Sequence, residues 1–89
     1  VLDPVAERVR LFYLCLGALG TNSDEVLVQV RFGAQAPIYT INLVPGAIWA
    51  RNIGAGKFYQ QGELTEPLNL ALSPGGMTVA WSAEYFFMP

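Results

Sequence analysis

From Glu25 to Phe32 the chain alternates almost without error. Val26, Val28, Val30 and Phe32 fall on one side, and Glu25, Gln29 and Arg31 on the other. A period of two predicts a strand with one dry and one wet face. Ile38 to Val44 repeats the pattern, with Tyr39, Ile41 and Leu43 opposite Thr40 and Asn42. Leu68, Leu70 and Leu72 alternate with Asn69, Ala71 and Ser73. Met77 to Phe87 sets Met77, Val79, Trp81, Ala83 and Tyr85, predicted buried, against Thr78, Ala80, Ser82 and Glu84. Arg8 to Gly17 is different, because both of its faces are largely apolar: Val9, Leu11, Tyr13, Cys15 on one and Arg10, Phe12, Leu14, Leu16 on the other. Such a strand is central in a sandwich or covered by a neighbouring subunit.

The segments between are turn chemistry. Gly17 to Asp24 clusters Gly, Asn, Ser and Asp, and Gly33 to Pro37 is a further turn. Pro45-Gly46 suits a type II turn, after which Ala47 to Ile53 forms a short strand carrying Trp49. Gly54-Ala55-Gly56 ends it, and Lys57 to Gln60 is a brief edge strand or a loop. Pro74-Gly75-Gly76 is a tight connection that predicts a hairpin between Leu68–Ser73 and Met77–Phe87. No segment sustains helical spacing. The pattern predicts an all-β chain: a single small β-sandwich, jelly-roll or immunoglobulin-like, of six to eight short antiparallel strands over residues 8–89. Asp3-Pro4 favours extended backbone and makes residues 1–7 an N-terminal arm.

Composition adds one pressure. Hydrophobic residues make up 53% of the 89 and charged residues 13%, about half the usual charged share. A small domain has much surface per residue, so part of that surface must be apolar or neutral, which suits burial against other copies or another protein. The net charge is −2 and the basic residues Arg8, Arg10, Arg31, Arg51 and Lys57 are scattered, which argues against nucleic acid. Leu11 to Leu19 is too short to span a membrane. Its β character, with no A-x-A-like site after it, also argues against a signal peptide.

Catalytic chemistry finds little to stand on. There is no histidine, so hydrolytic triads are excluded, and the lone Cys15 supports neither a zinc site nor an internal disulfide. Cys15 reads as a buried, inert thiol. Asn22-Ser23-Asp24-Glu25 reads as a turn rather than a calcium loop, and Gly54-Ala55-Gly56-Lys57 lacks the spacing of a phosphate loop. Glu63 and Glu66 fall in a loop and Glu84 on a polar strand face, where solvated charge is the default. The expectation is a protein that is not an enzyme and has no cofactor, metal or small-molecule substrate. Contacts with partners are expected from Leu2 and Val5 in the arm, from Trp49, Phe58 and Tyr59 near loops, and from Phe86 and Phe87 near the chain end. Trp81 reads as core.

The order of motifs resembles a group of small β-sandwich proteins from the virions of tailed bacteriophages. Arg8-Val9-Arg10-Leu11 matches their first strand and Val26-Leu27-Val28-Gln29-Val30 their Val-rich strand. Leu43-Val44-Pro45-Gly46 matches an L-x-x-G strand end, Leu68-Asn69-Leu70-Ala71-Leu72-Ser73 a Leu-Asn-Leu-x-Leu-Ser strand, and Val79 to Tyr85 the last strand. Ala47 to Gln61 departs from the group, carrying Trp49 and Arg51 where it has mostly glycine and proline. The resemblance implies a structural role and no catalytic residues. The role would be a capsid cement (decoration) protein on the outer capsid surface, a homo-oligomer with a trimer favoured, partnered by its own copies and the major capsid protein. A small tail, neck or fibre component and a carbohydrate-binding module using Trp49, Phe58 and Tyr59 are the alternatives.

Overall fold

The computed structural model describes residues 7–53 and 60–89. The expected 1–7 arm, apart from Glu7, and most of the Lys57–Gln60 segment lie outside the described residues. Within them the chain forms β1 (Arg8–Ala18), β2 (Val26–Phe32), β3 (Tyr39–Leu43), β4 (Ile48–Asn52), β5 (Gln60–Gln61), β6 (Leu68–Ser73) and β7 (Val79–Met88), with no helix. All pairings are antiparallel and build two sheets, a small β-sandwich. In the first sheet β1 is central. It pairs with β7 along its whole length, and on its other edge with β4 at Tyr13–Gly17 and with β5 at Arg10–Leu11. In the second, β2 lies between β3 and β6.

The two apolar faces of β1 have a specific cause. Its pairing with β7 slips between Leu11 and Tyr13, so Phe12 is an extra residue, a β-bulge. The bulge switches which residues point inward. Val9 and Leu11 face the core before it, and Leu14, Leu16 and Ala18 after it, all buried. Tyr13 and Cys15 are thereby turned to the outer face. The buried thiol expected for Cys15 is corrected: it is half-exposed and free.

Facing β1 across the core are Val26, Val28, Val30 and Phe32, all buried, as the alternation of that segment requires. Leu43 and Leu68 complete the buried set. Each fully buried Val or Leu contributes about 1.5–3 kcal/mol. Along one side the sandwich is closed by aromatics, the Tyr39 and Trp49 rings meeting at 5.3 Å with the Arg51 guanidinium 6.0 Å from the Tyr39 ring centre. That contact sets β3 over β4, leaving β6 on the side of β7. Val44 to Ala47 form the expected type II turn: Gly46 adopts φ 82°, and the Ala47 N–H donates to the Val44 carbonyl at 2.9 Å.

The expected hairpin between β6 and β7 does not form. β6 pairs with β2, from Phe32↔Leu68 to Leu27↔Ser73, whereas β7 pairs with β1 in the other sheet. Residues 74–78 are therefore an arch between layers. Alternation fixes which side chains face the core but not which strand is the neighbour. A clamp holds the arch's end beside the β1–β2 turn. The Asn22 side chain accepts from the Thr78 N–H at 3.0 Å and donates to the Thr78 carbonyl at 2.9 Å, which leads the chain onto β1.

Candidate docking surfaces

Two surfaces of the first sheet are unusual for a small domain. One is its outer face, where β1 offers Tyr13, Cys15 and Gly17 between Ile48 and Ala50 of β4 and Ala80, Ser82 and Glu84 of β7. Small side chains leave a shallow, open depression of about 310 Å³ lined by Cys15, Gly17, Ile48, Ala80, Trp81 and Ser82. Ile48 stands at its rim, 76% exposed. Among the described residues, Glu84 is the one charged residue in this central part of the face; Arg10, hydrogen-bonded to Gln61 at 2.8 Å, lies towards the β5 end. An outer strand face is ordinarily the polar one; this one is weakly charged and largely apolar around its depression. Beside it the Tyr13 phenol is held above its ordinary value. Repulsion between the phenolate and the Cys15 sulfur in its thiolate form is the first cause, followed by partial desolvation, a hydrogen bond to Cys15 and the Glu84 carboxylate.

The second surface is the strand β7 itself. Among the described residues nothing pairs with its far edge. Backbone directions follow from the bonds of β1. Its Val9, Phe12 and Ala18 carbonyls accept from Gly62, Ile53 and Gly46, on the β4 and β5 side. The alternate positions Tyr13, Cys15 and Gly17 thus turn towards Glu84, Ser82 and Ala80. This leaves the N–H and C=O groups of Val79, Trp81, Ala83, Tyr85 and Phe87 pointing away from the sheet. Their side chains share the core-facing side, yet the aromatic ones stay partly exposed. Trp81 is 43% exposed, Tyr85 38% and Phe87 41%; Phe86, on the outer face against the Phe12 ring at 5.4 Å, is 62% exposed. The expectation that Trp81 and Tyr85 are buried is corrected, because the strand that carries them is the sheet's rim.

The residues singled out from sequence are thus scattered. Phe86 and Phe87 lie together on β7, paired with Arg10 and Val9 of the same chain. Trp49 is half-buried and turned inward against Tyr39 rather than out towards a ligand. Leu2, Val5, Phe58 and Tyr59 lie outside the described residues. Asn22 to Glu25 is the expected turn, closed by Asn22 on Thr78 and by the Asp24 carboxylate accepting from the Glu25 N–H at 2.8 Å. Glu66, expected to be a solvated loop charge, instead ties two turns together. Its carboxylate accepts from Gln35 Nε2 at 2.8 and 2.9 Å and from the Glu63 N–H at 2.9 Å. Sequence reasoning missed Ile48 and Ala80, whose signal was the scarcity of charge on the solvent side of two strands: Ile48, Ala50 and Asn52 on β4, and Glu84 alone among Ala80, Ser82 and Glu84 on β7.

Compared with known proteins, the chain matches no family model, no curated protein and no solved structure.

Proposed function

We propose that this chain is a structural protein that works by docking, and that its setting is a bacteriophage virion, where it serves as a cement (decoration) protein on the outer capsid surface. The observation that carries the docking reading is the weakly charged, largely apolar outer face of β4, β1 and β7, with Ile48 at the rim of its depression. A flat, weakly charged surface loses little when it is dehydrated, and its apolar atoms gain by leaving water. The virion setting rests on the motif resemblance. A cement protein binds the assembled shell in preference to free subunits, so binding stabilises the shell by linkage, and many copies add up. The inward position of Trp49 takes away the described member of the aromatic platform that a carbohydrate-binding module would use.

The first test is the copy number of the chain in purified virus particles, by quantitative mass spectrometry against the major capsid protein. A ratio near that of the shell protein supports cement. A handful of copies moves the chain to the tail or neck, and absence overturns the virion setting. The second test is Ile48→Asp, which places a charge at an exposed rim without touching the core. It should leave the thermal midpoint of the free protein unchanged and abolish the added heat resistance of decorated shells. Undiminished protection overturns the docking face.

A further inference from the structure

We infer that β7 pairs with β7 of a second copy across a twofold axis at Ala83, joining the first sheets of two protomers into one continuous sheet. The inference rests on the docking reading but names a different surface from the shell-facing one.

Four observations carry it. β7 is long, has outward backbone groups unpaired among the described residues, and lacks the lysine, proline or bulge of its own that protects a natural edge. Its outward residues are Val79, Trp81, Ala83, Tyr85 and Phe87, evenly disposed about Ala83. An antiparallel pair centred there bonds every outward N–H and C=O, placing Val79 against the partner's Phe87, Trp81 against the partner's Tyr85, and Ala83 against the partner's Ala83. A shift of two residues either way leaves an end residue of each strand unpaired.

Charge selects the same register. With Ala83 on the axis, Glu84 lies opposite the partner's Ser82, in the pair type where side chains approach most closely. That hydroxyl can donate to the carboxylate. One of the shifted registers sets Glu84 against the partner's Glu84 instead, which is destabilising.

Area is of the right order as well. At about 200 Å² for a whole aromatic side chain, the exposed parts of Trp81, Tyr85, Phe86 and Phe87 amount to about 370 Å² per protomer. Two protomers thus offer up to about 740 Å² of aromatic surface, to which the paired strand backbones add, against the roughly 1,000 Å² of a specific interface. On the core-facing side, Trp81, Tyr85 and Phe87 of both copies would form one aromatic layer, continuing the 5.4 Å contact of Tyr85 with Phe87.

The test uses the whole chain. Sedimentation equilibrium should give a dimer. Amide exchange by NMR should show protection at Val79, Trp81, Ala83, Tyr85 and Phe87, where a monomer protects only the alternate residues. Ser82→Glu, at an exposed site, should weaken the dimer about 2- to 30-fold by setting two like-charge pairs across the axis. Adding Glu84→Lys should restore it by turning both into opposite-charge pairs. A monomer at all concentrations, the trimer that the resemblance implies, or a dimer indifferent to Ser82→Glu overturns the inference. A dimer that protects no shell overturns the cement role alone, and shell protection by a monomer overturns the twofold pair alone.

Discussion

A residue can be removed from the middle of the central strand at little cost, provided it is the right one. Phe12 is the surplus residue of β1, and without it Leu11 and Tyr13 become neighbours that match Tyr85 and Glu84 without a slip. Val9, Leu11, Leu14, Leu16 and Ala18 would all still face inward, now in simple alternation. The loss includes one half-buried ring against Phe86 and the carbonyl that accepts from the Ile53 N–H at 2.7 Å. Together these amount to about 1–3 kcal/mol. Deleting Cys15 is different. The chain then either turns Leu16 and Ala18 outward or absorbs the bulge by putting Tyr13 where Leu14 was. The second course loses a buried Leu, about 1.5–3 kcal/mol, and buries a phenol hydroxyl, about 1–3 kcal/mol more. Against a total stability of about 4–13 kcal/mol for a chain of this length, that is crippling. Urea unfolding followed by circular dichroism should show a cooperative transition for the Phe12 deletion and little or none for the Cys15 deletion. Equal damage from the two, or greater damage from losing Phe12, would refute the assignment of the bulge.

Two further outcomes follow from close contacts and charge. Gly62→Ala sets a Cβ 2.8 Å from Cδ1 of the buried Phe32 ring, so overpacking should cost about 1–3 kcal/mol. In a thermal melt that lowers the midpoint by about 4–8 °C per kcal/mol. The Tyr13 phenol is raised in the folded state, so its contribution to stability is complete below the unfolded value near 10 and is lost as the pH rises through the folded one. Denaturant midpoints should therefore fall above about pH 10, and less steeply in Tyr13→Phe.

The amino-acid pattern specified faces far better than neighbours. The alternation of Val26, Val28, Val30 and Phe32 was legible because β2 has one wet side and no irregularity, and Pro45-Gly46 because its turn chemistry is local. Cys15 was misplaced because a single extra residue inverts parity, and nothing in Leu11-Phe12-Tyr13 distinguishes a bulge from a regular strand apolar on both sides. The β6–β7 hairpin failed for a related reason. Pro74-Gly75-Gly76 permits an arch as readily as a hairpin, and the contacts that accompany the arch, β1 along β7 and Asn22 on Thr78, are far away in sequence. Trp81 and Tyr85 look like core residues on a strand drawn alone. Only the sheet order reveals that their strand is a rim, and so that their side chains stay partly exposed.

The place of β1 in its sheet also governs when the molecule can become active. Its partners β4, β5 and β7 all come later in the chain, and Arg8 must find Met88. Contacts so distant in sequence form slowly, because loop closure must precede any gain. The second sheet has a nearer start, since β2 and β3 adjoin, whereas the first waits for the last of the seven strands. β7 therefore completes the fold and presents the joining edge in the same event. Before β7 docks, the bare edge belongs to β1 and lacks the side chains and register of β7, which ties the twofold pairing in time to the completion of each subunit.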